Sequence, residues 1–162
     1  GAGLRAAIQH PGLIRRLAVG GLPFRRDGWF PEVRASMVQM TSAGFAYMQH
    51  SPQYDAWSQV APDPDAFPAL MDKMGDLLRQ PYDWSDEIRA LRPQMLLIYA
   101  DADSVPVTHI AEFFALLGGG IRDASWDGSA RPEARLAILP GLTHYDIFQS
   151  RELAGAVDAF FG

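Results

Sequence analysis

Two short polar segments hold the side chains best suited to acid–base chemistry. Asp101 and Asp103 follow an apolar run at residues 95–100, and His144 follows a second apolar run at residues 136–139. A histidine that acts as a general base needs a carboxylate, which fixes its tautomer and stabilises the imidazolium formed during proton transfer. The separation, 144 − 103 = 41 residues, leaves room for a helix, a glycine turn, a loop and a return strand. The spacing therefore predicts that the carboxylate and the imidazole follow neighbouring parallel strands.

Strands and helices alternate on both sides of a central insertion. Apolar runs predict strands at residues 17–19, 95–99 and 136–139, and the second of these is continuous enough to be covered on both faces of a parallel sheet. Helical spacing and end signals predict helices within residues 4–9, 31–48, 67–78, 85–91, 107–117 and 150–161. Strands separated by helices of this length indicate βαβ units, so the predicted fold class is α/β with a parallel sheet and flanking helices.

The two polar segments should lie at one edge of that sheet. Residues 101–106 and 140–146 are predicted as loops, because turn-forming and polar residues replace the apolar runs there. Ligands of parallel sheets bind beyond the carboxyl ends of the strands. This edge is therefore the predicted functional site.

Composition excludes several classes of protein. The chain has 162 residues, 48% hydrophobic and 20% charged, and a net charge of −5, which favours one globular domain over a nucleic-acid-binding protein. Its apolar runs are far shorter than the roughly 20 residues that span a bilayer. The absence of cysteine excludes disulfides, thiolate metal sites and a cysteine nucleophile, and it favours a reducing, cytoplasmic location.

The polar segments resemble a known family. Residues 100–106 (Ala-Asp-Ala-Asp-Ser-Val-Pro) and 140–144 (Pro-Gly-Leu-Thr-His) resemble the acid loop and the histidine loop of α/β-hydrolase fold enzymes. The resemblance implies that Asp103 is the acid and His144 the general base of a Ser–Asp–His triad. It also implies that residues 6–11 end the helix behind the nucleophile, and that the aromatic insertion is a lid.

The nucleophile of that family is absent from the sequence. No serine lies in a Gly-x-Ser-x-Gly elbow, and the resemblance implies that the serine would precede Gly1. The chain is then expected to be the carboxy-terminal part of one hydrolase domain, with a core of residues 1–23 and 93–162 and a helical lid of residues 24–92. Its partner would be the missing amino-terminal half, and the chain alone should be inactive.

Other polar residues allow alternative assignments. Asp101 competes with Asp103 for the role of acid, although the family pattern favours Asp103. An Asp-x-Asp pair can also bind a divalent cation, but no further ligands are evident, so we expect no metal site and no cofactor.

The remaining histidines and charged or glycine-rich segments have simpler interpretations. His10 is expected at a helix end, and His50 and His109 are expected on the surface without partners. Residues 118–120, three glycines after a helix, predict a turn rather than a phosphate cradle. The Arg-Arg-Asp cluster at residues 25–27 is expected to be a solvated face, with an acidic-substrate contact as the alternative.

The predicted function is that of a serine hydrolase, esterase-like, acting on a small molecule with an apolar group. The aromatic insertion favours an apolar acyl or alcohol group, while epoxide, haloalkane and carbon–carbon bond hydrolysis stay open because they share the fold. The alternative is a non-catalytic binding or interaction module that retains the hydrolase scaffold.

Overall fold

A computed structural model describes all residues of the chain, 1–162. The strands are β1 (Arg16–Gly20), β2 (Gln94–Ala102) and β3 (Arg135–Thr143). The α-helices are α1 (Ala2–Gln9), α2 (Pro31–Val38), α3 (Phe45–Met48), α4 (Pro52–Val60), α5 (Phe67–Arg79), α6 (Ser85–Ala90), α7 (Val107–Leu116) and α8 (Arg151–Phe161). None of these helices combines the length and the apolar character that crossing a bilayer requires.

The three strands form one parallel sheet in the order β1-β2-β3. β2 is central, and its residues from Met95 to Ala100 are all buried, as the continuous apolar run predicts. Alternate side chains of a strand face opposite sides of a sheet. On one face Leu96 and Ile98 pack with Phe160 of α8. The predicted α/β class and parallel sheet are confirmed.

β3 is longer than its apolar run predicts. The strand continues through Thr143, whereas residues 140–146 were expected to form a loop, and that boundary is wrong. The pairing of β2 with β3 shifts register between Ala100 and Ala102. At this bulge the side chain of Asp101 accepts hydrogen bonds from the backbone N–H groups of Gly141 and Leu142, at 3.0 and 3.3 Å. These bonds extend the strand past the proline.

The chain divides into two compact units, one of residues 1–30 and 82–162, the other of residues 31–81. The second unit consists of helices α2 to α5. It spans fewer residues than the predicted insertion of residues 24–92. Its core contains an aromatic cluster whose rings lie between 5.1 and 6.1 Å apart, formed by Phe45, Tyr54, Trp57 and Phe67. Some aromatic residues of the insertion thus pack against one another inside this unit. That the insertion acts as a lid stays a prediction.

Helix α4 lies in the second unit and was not predicted. Ser51 caps it by accepting a hydrogen bond from the backbone N–H of Tyr54 at 3.2 Å, and Pro52 occupies the first helical position. A serine cap followed by proline is an ordinary helix start. The signal was therefore present in the sequence.

Candidate functional site

The carboxylate of Asp103 is fixed at the carboxyl end of β2. Its two oxygens accept hydrogen bonds from the backbone N–H groups of Ala100, at 3.1 Å, and Val105, at 3.2 Å. The side chain is only 1% exposed. Buried carboxylates are stable when several donors face them. Asp103 therefore holds its own loop in place and presents one oxygen to a further donor.

That further donor is His144, which follows β3. Its Nδ1 atom lies 2.9 Å from Oδ1 of Asp103, and the imidazole is 22% exposed. Because a carboxylate accepts, Nδ1–H donates, and Nε2 is left as the nitrogen that can take a proton. The structure thus brings together the two residues predicted for the site, and the pair has the geometry of a general base with its orienting acid.

The loop after β3 is tied by local hydrogen bonds. Asp146 accepts from the backbone N–H of Thr143 at 2.7 Å, and the Thr143 hydroxyl accepts from the backbone N–H of Tyr145 at 3.2 Å. Both bonds belong to the residues that flank His144. They restrict the backbone that aims the imidazole at Asp103.

Asp101 has a different role from Asp103. Its carboxylate points to the β3 backbone, and the hydrogen bond from Gly141 is the main reason why the pKa of Asp101 lies below its ordinary value. Asp101 therefore shapes the strand that carries His144. The competing assignment of Asp101 as the partner of the histidine is not supported by these contacts.

Two residues beside His144 were not singled out as site residues by the sequence. Gly21, directly after β1, has a φ of +58° and touches the imidazole so closely that a β-carbon would lie 2.9 Å from Cε1 of His144. The ring of Trp29 lies 5.4 Å from the imidazole, centroid to centroid, at an interplanar angle of 84°. Gly21 lies just after the strand predicted at residues 17–19, but its contact with His144 depends on tertiary packing, which no local pattern indicates.

Aromatic side chains also flank the histidine on its own loop. The rings of Tyr145 and Phe148 lie 5.6 and 6.2 Å from the imidazole and are nearly perpendicular to it. Both are largely exposed, at 73% and 57%. Apolar ring surface is therefore available next to the imidazole.

A buried tyrosine positions the chain that enters the site. Tyr99 of β2 donates a hydrogen bond from its hydroxyl to the backbone oxygen of Leu22 at 2.7 Å. Burial is the main reason why the pKa of Tyr99 is raised, and the nearby charge of Asp103 adds to it. The hydroxyl is therefore a permanent donor that holds the residue after Gly21.

His109 departs from its predicted position. It is 5% exposed rather than on the surface, and its ring stacks on Phe24 with centroids 4.3 Å apart. Burial lowers the pKa of His109. The prediction of a surface histidine without partners is wrong, because α7 turns this position toward the interior of the first unit.

The remaining predicted features have structural roles. Arg25 forms an ion pair with Glu112 of α7, so the cluster at residues 25–27 is partly engaged within the protein. The glycines at 118–120 form the predicted turn, with positive φ at Gly118 and Gly120. No group of three or more histidine, aspartate or glutamate side chains has an arrangement that could hold a metal ion.

Comparison with known proteins identifies the fold. No protein-family model and no curated protein sequence matches the chain. Its structure is similar to the crystal structure of E-2-(acetamidomethylene)succinate hydrolase, with a TM-score of 0.59 and 17% identity over 98% of this chain and 62% of that one. It is also similar to MGS-M2, an α/β-hydrolase enzyme from a Medee basin deep-sea metagenome library, with a TM-score of 0.57 and 18% identity over 99% of this chain and 60% of that one.

A third similar structure comes from work on the carboxylesterases of the thaumarchaeon Nitrososphaera gargenis, with a TM-score of 0.56 and 17% identity over 98% of this chain and 60% of that one. The chain thus spans between 60% and 62% of the length of the three solved structures. At these identities the likeness concerns the fold. This chain has the α/β-hydrolase fold.

Proposed function

We propose that this chain supplies the acid and the base of a serine hydrolase with esterase-like activity. The observation that carries the proposal is the 2.9 Å hydrogen bond between Nδ1 of His144 and the buried carboxylate of Asp103. The two residues follow adjacent parallel strands, at the edge where such sheets hold their sites.

In the proposed reaction, Nε2 of His144 takes the proton from a serine hydroxyl as the serine oxygen attacks an ester carbonyl. Asp103 stabilises the resulting imidazolium and keeps Nδ1 as a donor. The imidazolium then gives its proton to the departing alcohol, which leaves an acyl-enzyme. Water, deprotonated by the same nitrogen, hydrolyses the acyl-enzyme and restores the serine.

The nucleophile is proposed to lie outside these 162 residues. The sequence contains no Gly-x-Ser-x-Gly motif, and the solved structures with this fold are longer than the part that the chain covers. We propose that the chain is the carboxy-terminal part of a hydrolase domain and that the amino-terminal part supplies the serine and the oxyanion donors. The 162 residues alone are then expected to be inactive.

The proposed substrate is a small ester with an apolar acyl or alcohol group. Support comes from the aromatic rings of Trp29, Tyr145 and Phe148, which all lie within 6.2 Å of the imidazole, centroid to centroid. Similarity to a structure from work on carboxylesterases adds to this support.

The test uses the protein expressed from its complete reading frame. A fluorophosphonate probe should label one serine outside residues 1–162, and the protein should hydrolyse p-nitrophenyl butyrate. His144→Ala should lower kcat/KM by about a thousandfold or more, whereas His10→Ala, at the exposed end of α1, should not change it. Tight binding of the ester without turnover, unaffected by His144→Ala, would favour the binding-module alternative instead.

A further inference from the structure

Trp29 lies in a short stretch of chain that we term the linking segment, residues 24–30. The segment follows β1 and belongs to the same compact unit as the sheet. The indole is buried, and its plane stands at 84° to the imidazole of His144. A ring packed perpendicular to an imidazole at this distance restricts its rotation about the Cβ–Cγ bond.

Hydrogen bonds fix the indole and the end of the linking segment. The indole Nε1–H of Trp29 donates to the hydroxyl of Tyr82 at 3.2 Å. The next residue, Phe30, donates its backbone N–H to the carbonyl of Ser104 at 3.2 Å. Ser104 directly follows Asp103, so the acid loop and the residue beside Trp29 are joined by a backbone hydrogen bond.

An ion pair fixes the start of the linking segment. The guanidinium of Arg25 makes two hydrogen bonds to the carboxylate of Glu112 on α7, at 2.5 and 2.8 Å. Helix α7 begins at Val107, directly after the acid loop. Both ends of the linking segment are thus attached to the stretch of chain that presents the acid.

We infer that Trp29 is a positioning residue for His144, holding the imidazole in the orientation that keeps Nδ1 on Asp103 and Nε2 toward the nucleophile. The inference rests on the proposed function. It assigns Trp29 no contact with the reacting atoms. Without the indole, the imidazole can turn away from Asp103, so the hydrogen bond from Nδ1–H to the carboxylate is made less often and Nε2 faces the nucleophile for less of the time.

The inference is tested in the protein expressed from its complete reading frame. Trp29→Leu removes the ring, Trp29→Phe keeps an aromatic ring in the same place, and Trp126→Leu is the control, since Trp126 is fully exposed. The readouts are the ¹H NMR chemical shift of the Nδ1–H proton of His144, which reports its hydrogen bond to Asp103 and is assigned with His144→Ala, and kcat and KM for p-nitrophenyl butyrate.

Trp29→Leu should lower the chemical shift of the Nδ1–H proton of His144, because its hydrogen bond to Asp103 is made less often, and reduce kcat about tenfold or more, with KM changed by less than about threefold. Trp29→Phe should restore most of both values, and Trp126→Leu should match the unsubstituted protein. Equal Nδ1–H chemical shifts in Trp29→Leu and Trp126→Leu would overturn the inference.

A milder variant covers the case in which Trp29→Leu does not fold. Tyr82→Phe removes only the hydroxyl that accepts from the indole, so it loosens Trp29 without removing it, and the Nδ1–H chemical shift of His144 should fall by a smaller amount. An unchanged Nδ1–H chemical shift in this variant would then overturn the inference. The NMR measurement does not require turnover, so a protein without hydrolase activity would refute the proposed function while the Nδ1–H chemical shift still decides the role of Trp29.

Discussion

Gly21 packs directly against the ring of His144. A β-carbon at Gly21 would lie 2.9 Å from Cε1 and 3.0 Å from Nδ1 of the imidazole, closer than ordinary van der Waals contact. The φ of Gly21 is +58°, a conformation that side chains with a β-carbon adopt at a cost. The end of β1 therefore contributes a surface to a site whose two polar residues follow β2 and β3.

Gly21→Ala should displace the imidazole of His144. We expect kcat to fall by about tenfold to a hundredfold and the free energy of unfolding to fall by about 1–2 kcal/mol. Kinetics on p-nitrophenyl butyrate and urea unfolding measure the two effects. Gly12→Ala is the control, because a β-carbon there meets nothing within 4 Å. Wild-type kinetics in Gly21→Ala would contradict the importance of this contact.

Much of the fold and the central pair of the site could be predicted from the sequence. The apolar run at residues 95–100 and the polar residues after it are local signals, and they placed Asp103 at a strand end. The same reasoning placed His144 one strand further on. Both predictions depend on the simple geometry of parallel strands, and the structure shows the two side chains in hydrogen-bond contact.

Features that depend on contacts distant in sequence could not be predicted. The position of Trp29 beside His144 joins residues separated by more than a hundred positions, and no local pattern indicates it. His109 was expected on the surface because its burial depends on how α7 packs. β3 extends through residues 140–143 because Asp101 on the neighbouring strand accepts from its backbone.

Removing the charge of Asp103 should lower kcat/KM far more than removing the charge of Asp101. Asp103→Asn places an amide donor where the carboxylate now accepts from the backbone and from Nδ1 of His144. We expect kcat/KM to fall by about a thousandfold or more. Asp101→Asn keeps one acceptor for the β3 backbone and should lower kcat/KM by less than about tenfold. Similar losses in both variants would mean that the acid has been assigned to the wrong residue or is shared.

Replacing either of two helical glycines with alanine should change the free energy of unfolding, and the two changes should have opposite signs. A β-carbon on Gly155 of α8 meets nothing within 4 Å, so Gly155→Ala should stabilise the protein by about 0.5–1 kcal/mol. A β-carbon on Gly75 of α5 would overlap the backbone oxygen of Met40, so Gly75→Ala should destabilise it by about 1–3 kcal/mol. Urea unfolding of the two variants checks both signs. Stabilisation by Gly75→Ala would show that α5 does not approach Met40 this closely.

His109 should make the stability of the protein depend on pH. Burial is the main reason why its pKa lies below the ordinary value of about 6.5, and the charge of Arg25 lowers it further. Carboxylates of three residues oppose this effect: Asp27, Asp83 and Glu112. The net result is a native state that binds the proton less readily than the unfolded state does.

The sign of the pH dependence follows from that difference. Above about pH 6.5 His109 is neutral in both states and its contribution to stability is complete. As the pH falls below about 6.5, the unfolded chain takes up the proton first, so stability is lost until the pH reaches the lowered pKa of the native state. One such group contributes at most about 1.4 kcal/mol per pH unit. Over this window the contribution of His109 therefore decreases steadily with acidification.

His109→Phe should remove this contribution, because phenylalanine can keep the stack on Phe24 but does not titrate. The free energy of unfolding by urea, measured between about pH 5 and 7.5, should fall less steeply with acidification in His109→Phe than in the unsubstituted protein. His50→Phe, at an exposed position, serves as the control and should keep the original slope. The difference in slope between the variants isolates His109, because any free energy lost through altered packing of the new ring would be the same at every pH. Parallel curves for His109→Phe and the unsubstituted protein would show that His109 has the same proton affinity in the native and unfolded states.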